Sequence, residues 1–544
     1  MKKLETFHSI FPIALASIVP YTPCLFGDFV FDDRPALLKN EDVYNSTGSL
    51  IDIFHHDFWG GNLSAKSSHK SYRPLTTLIF RLAASAFGLV PWPFHLLNGL
   101  LHCLNSIMVW KVVQTFTKSK TVRFLTAMIF AMHPVHTEAI CAIVGLADLL
   151  WSFFALIAIS HNDNPILVIL CSFLSLSSKE QGIMIIPIIL ALKLKKKNIW
   201  SLKYLILLYA LFEGLFLYLR LKLMDFSPPK FQEGDNPIGF MPSFIQRTLN
   251  FHYLIVLNFW LLICPQWLCY DWAMNCISFL KNPMDLRIVL ILVFYVSLAK
   301  LCLKKRHWAS LIFLILPFLP SSNLLVLVGF VVAERNLYLS ILGFALLLSK
   351  AMKNMEARLP FLILIVLTFS LKSLDRSFQW QNEQKLFNSG LKICPNNAKV
   401  LYNVAKIATD EQIAKKYYEK ALELWPKYEH AMNNLGNIYK NLRQWDQAED
   451  LFHQALEISP TFAASWMNLG IVQSNLNKLD QAELSYLNAL KWKRDIYPDC
   501  HFNLGNLYLK MQKESEAISA FEKCLEQNPL HFSAHTNLVI LLGK

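Results

Sequence analysis

Apolar runs alternate with short polar segments over the first 372 residues, and this pattern stops near Lys372. Such runs predict membrane-spanning helices, because about 20 apolar residues cross a bilayer. Eleven runs lie at residues 8–26, 94–116, 124–132, 149–160, 165–177, 183–192, 204–219, 288–303, 308–320, 337–349 and 359–371. The chain is therefore expected to be all-α, with a polytopic bundle of about 11 transmembrane helices over residues 1–372.

The first run is interpreted as a retained span. It is longer than the apolar core of a signal peptide, has no small-residue cleavage site, and is followed by an acidic segment. A further apolar stretch, 253–263, would change the side on which the chain leaves the bundle if it crossed the membrane. Since both of its flanking segments are predicted on one side, we interpret it as a re-entrant or interfacial helix.

After residue 397 the pattern becomes periodic. Leu435-Gly436, Leu469-Gly470 and Leu504-Gly505 recur at spacings of 34 and 35 residues, with aromatic, alanine and proline residues at matching positions. Small residues at this spacing let two helices of a hairpin approach closely, and stacked hairpins form a solenoid. The pattern is that of tetratricopeptide (TPR) repeats and predicts about four units in 398–544, the last incomplete at 531–542. A concave helical surface of this kind binds an extended peptide or a partner protein.

The composition agrees with a membrane protein. Of 544 residues 54% are hydrophobic and 17% are charged, and the mean hydropathy is +0.34. Soluble domains carry about 25% charged residues, so a soluble globular or disordered chain is excluded.

The net charge of +13 belongs to the apolar part. Residues 1–372 hold 33 of the 52 basic and 20 of the 39 acidic residues, which leaves 19 of each for the tail. The basic residues cluster between apolar runs, which is typical of cytosolic loops and not of a nucleic-acid surface. The clusters are Lys2-Lys3, 118–123, 193–197 with Lys203, 304–306 and 350–358. This places the N-terminus in the cytosol and the TPR tail in the lumen.

The opposite loops are then lumenal, at 27–73, 133–148, 178–182, 221–287 and 321–336. Two glycosylation sequons, at Asn45 and Asn62, lie in the first of these loops and agree with its assignment. The 11 cysteines show no CxxC spacing. A lumenal disulfide among Cys264, Cys269 and Cys276 is as compatible with the sequence as three free thiols.

The first loop carries the strongest candidates for chemistry. Asp32 and Asp33, close behind the first span, either act as a base toward a hydroxyl or only fix the helix exit. Lys70 and Arg73 precede an amphipathic stretch at 75–87, where they bind a lipid phosphate or anchor the interface. Anchoring is the more common role.

Other loops carry further polar residues. His133, His136 and Glu138, with Asp148 following, favour a polar cavity wall over a metal site, because Pro134 interrupts the helix that metal spacing requires. Lys179–Glu180 and Glu334–Arg335 are interpreted as internally paired charges. Arg335 either binds a phosphate together with Tyr338 or belongs only to a structural ion pair. The sequence has no Walker loop, GxGxxG or GxSxG motif.

Taken together, several strings resemble the transmembrane and TPR-repeat-containing (TMTC) proteins over nearly the whole chain. They are Phe31-Asp32-Asp33, Asp57-Phe58-Trp59-Gly60, the string from Ser68 to Leu75 with His69, the string from Phe94 to Asn98 with His95, His133 to Ala139, Ser178 to Gly182, Ala333 to Leu339, and Trp380 to Asn397 ahead of the repeats.

The resemblance implies a GT-C type glycosyltransferase of the endoplasmic reticulum membrane. Such enzymes move mannose from dolichyl phosphate mannose to Ser or Thr of cadherin-type domains, without a metal or other cofactor. The implied domains are a GT-C-like bundle at 1–372, a linker helix at 373–397 and the TPR array at 398–544. The implied base is Asp32 or Asp33, and the implied phosphate ligands are Arg73, Lys70 and Arg335. The remaining polar residues of the cavity are His69, His95, His133, His136, Glu138, Asp148, Lys179, Glu180 and Glu334.

The chain departs from the family pattern in two places. Leu146 stands where the family more often has an arginine, and the repeat array is short. A non-catalytic membrane adaptor that recruits partners through its repeats is the alternative function.

Overall fold

The computed structural model describes residues 2–45, 47–66, 68–194, 199–282, 284–353, 355, 358–493 and 496–543. Parts of the two basic clusters predicted at 193–197 and 350–358 lie outside these ranges. The described residues are helical with no strand, which confirms the all-α prediction. The chain divides into one unit of residues 1–273 and 277–394 and a second of 274–276 and 395–544.

The first unit contains sixteen α-helices among the described residues. They are α1 (Lys2–Ile18), α2 (Glu41–Tyr44), α3 (Pro74–Phe87), α4 (Pro91–Val113), α5 (Lys120–Met132), α6 (His136–Cys141), α7 (Leu146–Ser160), α8 (Pro165–Ser178), α9 (Ile185–Leu194), α10 (Lys203–Leu223), α11 (Phe244–Ile263), α12 (Ile288–Cys302), α13 (Trp308–Ile315), α14 (Ser340–Met352), α15 (Arg358–Gln379) and α16 (Glu383–Ile393). Short 3₁₀ segments connect them, among them Val19–Phe26, Ile143–Gly145, Glu180–Met184 and Glu334–Leu337.

Local sequence explains several helix starts. Proline occupies the first helical position of α3, α4 and α8, where its missing N–H removes no helical hydrogen bond. The side chains of Ser119 and Asn164 accept backbone N–H groups at the starts of α5 and α8.

Four segments of the described chain are long and apolar enough to cross a membrane. They are Ser9–Phe26, Pro91–Val113, Ile143–Ser160 and Trp200–Leu223, and shorter apolar helices accompany them. The count of 11 spans stays a prediction. The stretch 253–263 is the second half of the 20-residue helix α11, and its interpretation as a re-entrant or interfacial helix stays a prediction.

Polar side chains hold the irregular segments of the bundle in place. The Asn98 amide donates to the carbonyls of Ile140 and Ala142 at 3.2 and 3.0 Å, where the chain breaks between α6 and α7. The Asn105 amide donates to the Leu149 carbonyl at 3.0 Å. Because an unpaired carbonyl is costly in an apolar core, Asn98 makes the non-helical turn between α6 and α7 possible, whereas Asn105 bonds a carbonyl within α7.

Among its described residues, the second unit contains four helical hairpins and a ninth helix. The helices are α17 (Ala398–Ile407), α18 (Glu411–Leu424), α19 (Glu429–Asn441), α20 (Trp445–Ile458), α21 (Ala463–Asn475), α22 (Leu479–Trp492), α23 (Pro498–Lys510), α24 (Glu514–Gln527) and α25 (Phe532–Leu541). Gly436, Gly470 and Gly505 sit where their helices meet the ring of Phe452, Tyr486 or Phe521, and a Cβ there would lie 2.6 to 2.8 Å from a ring carbon. The TPR prediction is confirmed.

Candidate functional site

The neighbouring carboxylates Asp32 and Asp33 have different surroundings. Asp33 is fully buried, and its two oxygens accept the backbone N–H groups of Val144 at 2.9 Å and Val30 at 3.3 Å. Burial raises the pKa of Asp33 to about 7. Asp32 keeps 28% of its side-chain surface exposed and forms a salt bridge with Nη2 of Arg335 at 3.2 Å. Asp32 is therefore the accessible carboxylate of the two.

Arg335 joins Asp32 to Glu138. Nε of Arg335 lies 3.5 Å from Oε1 of Glu138, and the backbone N–H of Arg335 donates to Oε2 of Glu138 at 3.1 Å. The 3₁₀ turn Glu334–Leu337 supplies the arginine, and α6 supplies the glutamate. One cation thus fixes two carboxylates that are more than 100 residues apart in sequence.

Glu334 does not pair with Arg335, so the predicted internal pair is wrong. Its Oε1 accepts the backbone N–H of Cys269 at 2.7 Å and the indole N–H of Trp272 at 3.2 Å. Burial raises the pKa of Glu334 well above its ordinary value, although Arg376 opposes this change. Its contacts give it a structural role behind the Arg335 turn.

Lys179 and Glu180 also do not pair with each other, and each contacts other charged residues. Nζ of Lys179 donates to Asp148 at 2.6 Å and to Oδ1 of Asn336 at 2.9 Å. Gln181 donates to the same Asn336 oxygen at 2.8 Å. Burial lowers the pKa of Lys179 to about 8, although Asp148 opposes this change.

Two arginines hold Glu180. Nη2 of Arg73 lies 3.0 Å from its Oε2, and Nη2 of Arg220 lies 3.2 Å from its Oε1. Burial alone would raise the pKa of Glu180, but the two guanidinium groups outweigh it and hold that pKa at about 2. The Arg73 guanidinium also lies over the Phe58 ring, 4.9 Å from its centre.

Sequence reasoning missed Arg220, which directly follows the apolar run 204–219. An arginine in the last turn of a spanning helix was the available signal, because it stands at the depth where lipid headgroups lie.

These contacts form one continuous network. Lys179 and Glu180 are consecutive, as are Arg335 and Asn336, so the groups around Asp32, Asp148 and Glu180 adjoin one another. The network combines a partly exposed carboxylate with arginines, which are suited to a hydroxyl on one side and a phosphate on the other.

Lys70 and His69 lie in the first loop, and Lys70 touches the network only through its backbone carbonyl, which accepts from Nη2 of Arg220 at 3.3 Å. The Lys70 side chain is 3% exposed, and its Nζ donates to the Leu63 carbonyl at 2.6 Å. An enclosed ammonium group cannot reach a lipid phosphate, so Arg220 replaces Lys70 among the candidate phosphate ligands. His69 pairs with the Ser71 hydroxyl at 2.8 Å.

The predicted histidines are buried in the bundle. His95 lies on α4, His133 pairs with the Leu262 carbonyl at 3.0 Å, and His136 packs against Tyr338 with ring centres 4.3 Å apart. Burial lowers the pKa of His133 to about 4. Within the described residues, no group of three or more His, Cys, Asp and Glu side chains is placed to hold a metal ion.

Tyr338 is not placed to bind a phosphate together with Arg335. Its hydroxyl is buried and pairs with Nδ1 of His102 at 2.7 Å and with the Asn105 amide at 3.2 Å. These contacts make it part of the interior of the bundle.

A disulfide joins Cys24, at the end of the first span, to Cys141 in α6. It connects the two segments that carry Asp32 and Glu138. Among the cysteines considered from sequence, Cys264 and Cys269 are free and Cys276 is disulfide-bonded.

Comparison with known proteins gives matches along the chain. A family model described as Protein O-mannosyl-transferase TMTC, DUF1736, matches residues 225–299, and tetratricopeptide repeat models match 431–462, 463–496 and 498–530. Protein O-mannosyl-transferase TMTC4 of Mus musculus is 38% identical over 491 residues, which cover 76% of this chain and 66% of that protein. Protein O-mannosyl-transferase TMTC3 of Homo sapiens is 35% identical over 485 residues, which cover 79% of this chain and 53% of that protein.

The chain thus spans between about half and two thirds of the length of these relatives. Among solved structures, the thermophilic TPR protein TTC0263 of Thermus thermophilus has 24% identity and a TM-score of 0.26. That match covers 33% of this chain and 95% of the solved one.

Proposed function

Since the chain belongs to the TMTC family of protein O-mannosyl-transferases, we propose that it transfers mannose to Ser or Thr hydroxyls of a protein acceptor. The donor proposed is dolichyl phosphate mannose, and the acceptor is a cadherin-type domain presented by the TPR array. Both come from the family resemblance. The bundle of apolar helices supports a lipid-linked donor, because its isoprenoid chain dissolves in the membrane.

The accessibility of Asp32 carries this proposal. A general base must reach the hydroxyl whose proton it takes, and it must be ionised. Asp32 is partly exposed and its carboxylate faces a guanidinium, whereas Asp33 is buried and engaged with backbone N–H groups. We therefore assign the base to Asp32 and a structural role to Asp33.

The reaction is a direct displacement with inversion. The Asp32 carboxylate takes the proton of the acceptor hydroxyl as that oxygen forms a bond to C1 of mannose. The bond between C1 and the phosphate oxygen breaks, and dolichyl phosphate leaves. Arg335 keeps Asp32 oriented through their salt bridge at 3.2 Å.

The leaving phosphate needs cationic partners, because its negative charge grows as the bond breaks. Arg73 and Arg220 converge on one carboxylate, Glu180, which occupies a place between two guanidinium groups. Arg220 lies in the last turn of a spanning helix, at the depth expected for the headgroup of a lipid-linked donor. We propose this pair as the phosphate ligands, with Arg335 between them and the base.

The endoplasmic reticulum membrane is the proposed location, with the site and the repeats in the lumen. The sequons at Asn45 and Asn62 support a lumenal first loop. The disulfide Cys24–Cys141 supports it independently, because disulfides persist in oxidising compartments.

The test is mannose transfer by the purified full chain from dolichyl phosphate mannose to a cadherin domain. Asp32→Asn is expected to lower the rate by about 10²- to 10⁴-fold, the usual effect of losing a general base, while the thermal denaturation profile stays unchanged. Asp28→Asn is the matched control, since Asp28 is exposed on the same loop and its described hydrogen bonds are made by its backbone. An Asp32→Asn variant with full transferase activity would overturn the assignment of Asp32 as the base, whereas a folded natural chain without transferase activity would favour the adaptor.

A further inference from the structure

The first loop, proposed above as lumenal, carries an open surface cavity of about 400 Å³ that the proposed reaction does not use. Trp59, Ala65, Ser68 and His69 form much of its wall, and Asn62 stands among its lining residues. A volume of this size lies within the range of small-ligand pockets.

Asn62 has the exposure and local geometry of an N-glycosylation acceptor. It is exposed, and its Oδ1 accepts both the backbone N–H of Ser64 at 2.9 Å and the Ser64 hydroxyl at 2.8 Å. Its Nδ2 makes no hydrogen bond to the described part of the chain. Asn45 has the same local turn with Thr47, at 3.2 and 2.8 Å, but does not line the cavity.

The wall of the cavity suits a sugar. Its carboxylate, Asp57, is occupied by four donors: the backbone N–H groups of Trp59, Gly61 and His69, and the Ser68 hydroxyl at 2.6 Å. The indole N–H of Trp59 is buried and has no acceptor within the described residues. Trp59 is half-buried in this wall, and a partly exposed aromatic ring beside polar groups is a surface against which a sugar ring packs.

We propose that an N-linked glycan is attached at Asn62 and that its first N-acetylglucosamine folds back into this cavity against Trp59. The inference rests on the lumenal placement of the loop proposed above. In forming the link, Asn62 Nδ2 loses a proton and bonds to C1 of the sugar. A lipid pyrophosphate leaves from the lipid-linked oligosaccharide that the cell's N-glycosylation machinery supplies.

The glycan would order the loop that positions Arg73. The Phe58 backbone N–H donates to the Ser71 carbonyl at 2.8 Å, and the Phe58 ring lies under the Arg73 guanidinium. The segment that lines the cavity is therefore directly connected to a proposed phosphate ligand.

The experiment compares two pairs of variants of the full chain expressed in a glycosylating host. Ser64→Ala removes the Asn62 sequon without changing the cavity wall, and Ser64→Thr keeps it. Thr47→Ala and Thr47→Ser are the matched pair at Asn45. Glycan occupancy is measured by mass spectrometry, and the order of residues 57–73 by amide hydrogen exchange.

We expect Ser64→Ala to speed exchange in 57–73 by at least tenfold, while Ser64→Thr and Thr47→Ala leave it unchanged. In the natural chain, a glycosidase should remove the Asn62 glycan more slowly than the Asn45 glycan, and Trp59→Ala should abolish this difference. An Asn45 glycan without one at Asn62 would overturn this inference while leaving the lumenal placement intact. Equal exchange in Ser64→Ala and Ser64→Thr would also overturn it.

Discussion

Asp32 and Asp33 illustrate how neighbouring residues of the same type acquire separate roles. The chain direction turns one carboxylate toward Arg335 and the other into the interior, against the N–H groups of Val30 and Val144. Sequence alone placed both at the lumenal end of the first span and left open which one was the base. The choice depends on contacts with residues 111 and 303 positions away, which no local pattern contains.

Asp33 should make the stability of the protein depend on pH. Its pKa is about 7 in the folded chain against an ordinary 3.8, so the folded state binds the proton more tightly than the unfolded state. The stabilisation is complete below about pH 4 and is lost as the pH rises toward 7. We expect the midpoint of thermal denaturation in detergent to fall by several degrees between pH 4 and 7.

Asp33→Asn should flatten this pH dependence, because the amide does not titrate. Asp28→Asn, on the exposed part of the loop, should leave it unchanged. A profile of Asp33→Asn parallel to that of the natural chain would contradict the assignment.

At the scale of elements, the helix boundaries follow local chemistry more closely than the membrane spans do. Prolines and capping side chains mark the starts of α3, α4, α5 and α8. In contrast, the apolar run that ended at Leu371 belongs to α15, which continues to Gln379. Hydropathy reports where lipid contact ends, whereas helical hydrogen bonding continues until a residue interrupts it.

The repeat hairpins depend on their glycines for close packing. In α21, a Cβ at Gly470 would lie 2.8 Å from a ring carbon of Tyr486. Gly470→Val should therefore destabilise this repeat by about 1–3 kcal/mol, the usual cost of overpacking. Amide exchange across 463–492 in the full chain measures it.

Asn475→Val, at an exposed position of the same helix, is the control and should change stability little, because asparagine and valine have similar helix propensities. Equal effects of the two substitutions would show that packing at Gly470 is not limiting.

At the scale of the whole molecule, the charge pattern makes a prediction about orientation. Basic clusters between the apolar runs place the N-terminus in the cytosol, and an odd number of crossings places the repeats in the lumen. The chain contains no sequon after residue 64. Natural glycosylation therefore does not show on which side of the membrane the TPR tail lies.

A sequon tag appended after Lys544 tests the orientation. In a chain with Asn45→Gln and Asn62→Gln, the tag should acquire one glycan and shift the band, and endoglycosidase should reverse the shift. The same chain without the tag is the control and should show no shift. An unmodified tag in well-expressed protein would place the repeats in the cytosol and contradict the 11-span topology.

The sequence by itself determined the membrane character, the all-α class and the repeat array. These follow from hydropathy, charge and a 34-residue period, which are local or periodic properties of the chain. It also identified most residues of the site, because polar groups at the ends of apolar runs are few. It named Asp32, Arg73, Glu138, Lys179, Glu180 and Arg335.

Only the tertiary structure decided which of these residues act together. Lys179 and Glu180 are neighbours in sequence, yet one pairs with Asp148 and the other with Arg73 and Arg220. From sequence, Lys70 and Arg73 were both candidate phosphate ligands. In the structure the Lys70 ammonium group is buried and donates to the Leu63 carbonyl. Pairing of buried charges depends on distance and on the loss of solvent, and both are set by packing between distant segments. Hydropathy and period determine whether a segment lies in the membrane or belongs to a repeat. The packing of distant segments determines which side chains it contacts.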